Sequence, residues 1–505
     1  MDIVKQIART SRILNMVLNM YVSLRFYLYY HYRIFWGHFL INRRKNKKEQ
    51  RIMGFNIKEG KKYVIRIHDL GDSGEGVGRI EGITVFVEGL VPGDRALVEI
   101  VKVKKSYALG KIVEIKENSD IKQEPPCSHF PECGGCQIQN LIYQKQLKFK
   151  KLKVEAAIER IAGLKGINVK ETLGMENPFH FRNKAQLPFG KENGKVVIGF
   201  YRKKSHEIVD IKKCLIQNPI NDDIVETLRE YLSEIDYPVY EEPTHKGVLR
   251  HLILRNSYKT GDIMAVLVTN GESFPKKKEI VSLLTSNFPQ VKTVVQNINS
   301  KKTNVITGPE SKVLFGSGRM TDYIGDLSFE ISPVSFLQVN TKQTEVLYGK
   351  VLEYADIGPE DIVFDIYSGI GTISLFLAKK AKKVYGIEVV KPAVADANHN
   401  AELNGVTNVE FHSGRAEKVV PRLYESGIRA DVVVVDPPRK GCEEIVLDTI
   451  AHMKPKRIVY VSCKPSTLAR DLAYLKKKGY ITQEVQPVDL FPHSTHVEAV
   501  TLLVK

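Results

Sequence analysis

The chain has 505 residues, too long for one ordinary domain at roughly 150 residues each. Hydrophobic residues at 43% and charged residues at 26% sit near soluble globular averages, so sizeable cores are affordable, and six cysteines over this length exclude a disulfide scaffold. The net charge of +17, from 75 Lys and Arg against 58 Asp and Glu, favours an anionic partner such as nucleic acid or a membrane surface.

That charge is unevenly spread. Residues 1–52 hold eleven Lys and Arg against Asp2 and Glu49, a net of +9, which leaves +8 on everything else. The stretch Ile13 to Ile41 is rich in Leu, Tyr, Phe and Ile and is interrupted by Arg25, His31 and Arg33. Its longest charge-free run, Ile13 to Leu24, is shorter than the about 20 apolar residues a bilayer span needs. It also lacks a small-residue cleavage site, so a secretory signal fits poorly. A membrane-surface amphipathic helix, a partner-binding extension and a misassigned start compete; the last, or a dispensable extension, is the expectation, because Met53 opens the first domain-like stretch.

From Lys62 to Ile115, short β-branched runs alternate with Gly-rich turns: Tyr63–Ile67, Ile83–Val87, Ala96–Ile100 and Leu109–Ile115, with a turn at 91–94. Strands at this spacing predict a small barrel, here residues 53–118. Lys102, Lys104, Lys105 and Lys111 decorate its end, as a solvated face or as RNA contacts.

Residues 125–140 are irregular and Cys-rich. Cys127, Cys133 and Cys136 form C-x5-C-x2-C, with Cys214 far downstream. Four soft thiolates can hold a [4Fe–4S] cluster or Zn²⁺. Zinc ribbons usually offer two close pairs, so three clustered cysteines plus a distant one suit the iron–sulfur case better, in a reducing cytoplasm. The spacing differs from the C-x3-C-x2-C of radical chemistry.

Leu141 to Gly163 has helical spacing. The middle, about Phe179 to Ile331, alternates strand-like runs (Val196–Tyr201, His251–Arg255, Ile263–Thr269) with a helix candidate at Ile220–Ile235. This predicts a central α/β unit over 119–335. Phe181 to Gln186 and Gly199 to Arg202 mix basic and aromatic residues, suited to RNA contact, although strand aromatics are more often core.

From Glu345 onward strands and helices alternate: Ile362–Tyr367, Lys383–Glu388, Asp431–Asp436 and Arg457–Cys463. That pattern predicts a doubly wound parallel sheet over 336–505. Val363 to Thr372 is an apolar strand entering a Gly369-x-Gly371 turn at the place where open sheets bind cofactors. Alone, Gly-x-Gly is a weak signal. Glu388, about twenty residues on and ending the next strand, strengthens it as a ribose-binding carboxylate, and the missing third glycine tilts the reading from NAD toward S-adenosylmethionine (SAM).

Val432 to Val435 reads as a buried strand ending in Asp436-Pro437-Pro438, a rigid loop beside that pocket. Amino-group methyltransferases place an aromatic after such a motif; Arg439 stands here instead. The next strand delivers Ser462-Cys463-Lys464-Pro465-Ser466-Thr467. A cysteine at a parallel strand's tip, facing the cofactor crevice and near a helix N-terminus, is where a nucleophile would sit, and its ordinary pKa of about 8.5 leaves some thiolate. A lone Cys is otherwise more often a small core residue. Glu498, heading the last apolar strand, can return to the same crevice as a base, or sit as a charge on an edge strand.

Together, residues 462–471, 436–441 and 496–498 make the chain resemble the TRAM-containing uracil-C5 RNA methyltransferases, notably the 23S rRNA enzymes, from about Met53 to the C-terminus. The resemblance implies an OB-like TRAM barrel for RNA binding, a central α/β region with a [4Fe–4S] cluster on Cys127, Cys133, Cys136 and Cys214, and a Rossmann-like SAM domain. It implies Cys463 as nucleophile, Glu498 as base, and SAM contacts from Gln338, Tyr367, Glu388 and Asp436. Lys464 stands where Asn is expected and Ser368 where Cys is frequent; both bear on fine positioning only. Cys442 receives no role.

The implied chemistry accounts for the set. Carbon 5 of uracil is a poor nucleophile until a thiolate adds to carbon 6, and a base must then remove the carbon-5 proton. The target nucleotide must also be unstacked or flipped. Barrel plus cysteine cluster favours 23S rRNA over tRNA as partner, with no obligate protein partner and no stable membrane association. A non-catalytic RNA-binding assembly factor is the alternative from another class, and the Cys463–Glu498 pair argues against it.

Overall fold

A computed structural model describes residues 57–505; the expectation for residues 1–52 lies outside the described residues. Strands β1 (Lys62–Leu70), β2 (Gly76–Ile80), β3 (Ile83–Val87), β4 (Arg95–Val103) and β5 (Tyr107–Glu117) close into a barrel in the order β1-β2-β3-β5-β4. Alternating burial along β2, β3 and the first half of β4 points Ile80, Val85, Val87, Ala96, Val98 and Ile100 inward. The sequence pattern passed over β2 because Gly76 and Gly78 read as turn. They are there for closeness: a Cβ on Gly78 would stand 2.5 Å from the Ile65 side chain.

After the cysteine loop, helix α1 (Tyr143–Ala162) ends on Gly163 in the left-handed conformation. Its buried stripe is Gln146, Lys150, Val154 and Ile158, four residues apart on one face. That stripe and β6 (Asn168–Val169) turn to the C-terminal sheet: Val154, Ile158, Leu164 and Val169 share a core with Phe364, Tyr460, Leu472 and Val485. Chain order placed this segment in the central unit; its apolar face joins it to the C-terminal one.

The central strands are β7 (Lys184–Glu192), β8 (Lys195–Tyr201), β9 (Ile208–Asp210), β10 (Leu249–Asn256), β11 (Ile263–Thr269), β12 (Val291–Ile298) and β13 (Glu310–Phe315). They form one seven-stranded sheet, β13-β12-β11-β10-β7-β8-β9, antiparallel except for β11–β12. Helices α2 (Ile220–Glu234) and α3 (Lys277–Asn287) cover one face. The other face packs Ile253, Met264, Val266 and Val295 against the hairpin β14 (Met320–Ile324) and β15 (Leu327–Ile331) and the C-terminal unit.

Helix α4 (Thr341–Ala355) leads in, capped by Asn340, whose side chain accepts from the Gln343 amide. Then follow β16 (Ile362–Ile366), α5 (Thr372–Ala378), β17 (Lys383–Glu388), α6 (Lys391–Leu403), β18 (Val409–Ser413), α7 (Ala416–Glu425), β19 (Val432–Val435), α8 (Glu444–Met453), β20 (Arg457–Ser462), α9 (Pro465–Lys477), β21 (Ile481–Val488) and β22 (Glu498–Val504). The sheet runs β18-β17-β16-β19-β20-β22-β21-β6, parallel from β18 to β20 as the alternation predicts. β22 is antiparallel and inserted between β20 and β21, so Glu498 does not sit on an edge. No helix among the described residues is long and apolar enough to cross a membrane.

The segment between β21 and β22 is held from α1. Lys150, fully buried, pairs with the buried Asp489 and donates to the Phe491 carbonyl at 2.9 Å, and the Tyr143 hydroxyl donates to Asp489 at 2.8 Å. Removing one partner of a buried ion pair strands the other. Lys150→Met is therefore expected to destabilise the fold by about 3 kcal/mol. Calorimetric melting checks this against Lys148→Met, whose exposed side chain on the same helix predicts an unchanged midpoint.

Candidate active site

The strand tips of β16, β17, β19 and β20 and the start of β22 open onto one cavity of about 840 Å³. Gln338, Tyr367, Glu388, Asp436, Cys463 and Glu498 all line it. Residues drawn from 160 positions of sequence thus meet because parallel strands present their carboxyl ends on one side of the sheet.

The turn after β16 shapes one end. Tyr367 has φ 73, and the amides of Tyr367 and Ser368 donate to the Ile387 carbonyl at 2.8 and 3.0 Å. Gly369 (φ 56) would meet nothing within 4 Å if it carried a Cβ, so its backbone faces open cavity. Gly371 (φ 82) is confined, with the Phe411 ring 2.7 Å from an added Cβ. Glu388 accepts from the Gly369 amide at 3.1 Å and the Val390 amide at 2.8 Å, which fixes its carboxylate at the cavity rim.

The other end gathers charge. Burial pushes the Asp436 carboxyl up to about 6. Glu498, with 4% of its surface exposed, is pushed up to about 8 by burial and then by Asp436, while Arg439 pulls it back. Cys463 follows the last residue of β20 and stands just before α9, whose first turn begins with Pro465. Its thiol is pushed up to about 11 by burial, then by Glu498 and Asp436, against the pull of Arg439. Desolvation and the two carboxylates thus outweigh whatever lowering the neighbouring helix N-terminus supplies.

Arg439 is the cation common to this end, and the sequence reading gave it no role. Its charge also lowers His496, held to about 4 chiefly by burial. The signal was available in its position directly after Asp436-Pro437-Pro438. Its loop is fastened to α9: the Thr467 hydroxyl donates to the Arg439 carbonyl at 3.2 Å, and Arg470 donates to the carbonyls of Lys440 and Cys442 at 3.0 and 3.1 Å. Cys442 is buried, and its amide donates to Asp471 at 2.9 Å, so its place is in this fastening. Phe336, 67% exposed on the cavity wall, was passed over as well, because an apolar residue in a loop carries no periodic signal.

The four remaining cysteines also converge. Cys136 packs with Phe181 and Ile216, with Cys214, Phe130 and Met175 against them. Burial drives the Cys136 thiol far up, and the charges of Cys214, Cys133 and Cys127 add to it, while Cys214 is pushed up to about 11 by burial, with Cys133 among the further contributors. The Gly135 amide approaches the Cys133 sulfur at 3.4 Å. All four are free thiols, and among the described residues no group of three or more His, Cys, Asp or Glu is arranged to hold a metal ion.

Two family models match this chain: one described as tRNA (Uracil-5-)-methyltransferase over residues 324–505 and a TRAM domain over residues 57–113. An uncharacterized RNA methyltransferase of Clostridium tetani is 50% identical over 447 residues, which are 88% of this chain and 97% of that protein. One from Bacillus cereus is 49% identical over 435 residues, 86% and 95% of the two chains. Among solved structures, the tRNA (uracil-54, C5)-methyltransferase of Pyrococcus abyssi in complex with S-adenosyl-L-homocysteine superposes with a TM-score of 0.70 at 30% identity, covering 88% of this chain and 100% of that one.

Proposed function

The chain belongs to the SAM-dependent RNA uracil-5 methyltransferase family, and from that premise we propose that it methylates carbon 5 of a uridine in 23S rRNA through a transient bond between Cys463 and carbon 6. Membership removes the reading of the chain as a non-catalytic assembly factor. The observation that carries the mechanism is that Cys463 and Glu498 face the same cavity as Gln338, Tyr367, Glu388 and Asp436.

The cavity divides the work by charge. Glu388, held by two backbone amides, and the open Gly369 turn suit the ribose and backbone-facing side of SAM, with Tyr367 and Gln338 along the wall. When bound, SAM supplies the methyl group and a positive sulfonium. Cys463 adds to carbon 6, which moves electron density to carbon 5 and its carbonyl neighbour. Arg439 lines the same cavity and its charge pulls the Cys463 thiol down, so it favours the ionised state that the addition requires. Once carbon 5 carries the methyl group, Glu498 takes the carbon-5 proton, the C–H electron pair closes the ring double bond, and the thiolate leaves.

The cysteine group is read as the ligand set of a [4Fe–4S] cluster. Its support is the set of four soft thiols and the apolar shell of Phe130, Phe181, Ile216 and Met175 around Cys136 and Cys214, although the described residues do not arrange the thiols around a metal position. Its role is to staple: Arg182 and Asn183, next to Phe181, bond through their backbones to Ile216 and Val339, beside Gln338. The chain is read as a TRAM barrel over 53–118, a central unit over 119–335 and a methyltransferase unit over 336–505, with 143–169 packed on the last.

tRNA is the second reading, favoured by the Pyrococcus abyssi neighbour, which is covered over its full length. The full chain, kept anaerobic, is to be incubated with 23S rRNA and tRNA transcripts and methyl-labelled SAM, and the labelled nucleoside identified. Label in 5-methyluridine of rRNA is the expected result. Label in tRNA alone moves the substrate, and label in any other nucleoside overturns the mechanism.

A further inference from the structure

Beside the cavity mouth lies an exposed aromatic surface that the reaction as described does not use. Tyr258 is 57% exposed, Phe336 67% and Val334 46%. Arg255, at the end of β10, donates to the carbonyls of Pro333 and Ser335, which joins the β10–β11 turn carrying Tyr258 directly to the loop carrying Val334 and Phe336. Lysines attend the rings: Lys342 Nζ lies 5.3 Å from the Tyr258 centroid, and Lys259 Nζ lies 4.4 Å from that of Tyr323.

The turn is built rigidly. Asp322, 1% exposed, accepts from the Ser257 hydroxyl at 3.0 Å and the Tyr258 amide at 3.1 Å. The Ser257 amide donates to the Asp262 carbonyl at 2.8 Å, and the Gly261 amide donates back to the Ser257 carbonyl at 3.0 Å. A buried carboxylate thus holds the backbone of the turn that carries the exposed ring, while also accepting from the Tyr323 amide at 2.9 Å. An exposed aromatic on a pinned backbone, with Lys342 against its ring and its turn tied through Arg255 to the loop that carries Phe336 on the cavity wall, suits a stacked base whose phosphates lie near the lysine.

We propose that Tyr258, with Lys342 against its ring, is an RNA subsite that stacks a nucleotide flanking the target uridine once that uridine enters the cavity. The proposal deepens the reading of the substrate as RNA and rests on it. A stacked base is worth about 1–3 kcal/mol, so loss of the ring raises KM for RNA about fivefold to a hundredfold. Because Tyr258 touches no reacting atom, kcat and affinity for S-adenosylhomocysteine stay put.

The test uses the full chain with whichever transcript, 23S rRNA or tRNA, it methylates. Tyr258→Ala is expected to raise KM at least fivefold with kcat within twofold, Tyr258→Phe to restore KM, and Lys342→Ala to weaken binding with a shallower salt dependence. A KM for Tyr258→Ala within twofold of the unaltered protein overturns the subsite and leaves the methylation reading intact. Should neither transcript be methylated, that reading has failed by itself, and the subsite is judged from equilibrium binding of fluorescein-labelled oligo(U) with S-adenosylhomocysteine present: equal affinities for the protein and Tyr258→Ala overturn it.

Discussion

Cys463→Ala is expected to lower RNA methylation by on the order of 10⁴-fold or more while leaving S-adenosylhomocysteine binding unchanged. The size follows from what the thiol does. Without addition at carbon 6, carbon 5 has no electron pair to offer, and among the described residues lining the cavity Cys463 is the one thiol, Cys442 being buried behind the loop. The substitution removes one sulfur from a partly exposed position at a strand tip, so little stability is at stake. Single-turnover transfer of labelled methyl groups, with cofactor affinity by calorimetry, separates the two effects. Transfer within tenfold of the unaltered protein removes Cys463 from the mechanism.

The contrast between the two ends of the cavity explains what could be read from sequence. The Gly369-x-Gly371 turn, Glu388 and Asp436 end β-branched runs, and a parallel sheet puts every such end on one side, so the periodic pattern alone groups them. Glu498 lies beyond that rule. Its strand runs antiparallel, and it reaches the cavity by its first residue because β22 inserts between β20 and β21. Pattern reading leaves Glu498 either facing the crevice or on an edge strand, and only the pairing of β22 to both neighbours excludes the edge. The segment before it is set by Lys150 and Gln146 on α1, more than 300 residues away, and helical periodicity marks such polar residues as solvent-facing. Tyr258 and Phe336 escape for a third reason: they stand in turns, where position is fixed by hydrogen bonds to Asp322 and from Arg255 that no local pattern encodes.

Glu498→Gln is expected to let addition and methyl transfer proceed but to stall release by about 10²–10⁴-fold, leaving methylated RNA bound to the protein through Cys463. Glutamine fills the same volume at a position 4% exposed between two strands, and it cannot accept the carbon-5 proton. The label should migrate with protein on a denaturing gel; free methylated RNA at the ordinary rate would show that another group is the base. The sign of the pH dependence gives a second reading. A carboxyl with its pKa near 8 is about nine-tenths protonated at pH 7, and only the ionised form takes a proton. Release by the unaltered protein therefore climbs from pH 6 to about 8 and levels off, whereas the Glu498→Gln protein has no such limb. The thiol moves the other way. Ionised Glu498 raises Cys463, so above pH 8 the substitution takes away an opposing charge and brings the thiol down from about 11. Iodoacetamide should then alkylate Cys463 faster in Glu498→Gln than in the unaltered protein at pH 9. A variant whose site had merely collapsed would show slower alkylation and no trapped complex, so the two measurements together assign the loss of release to the missing base.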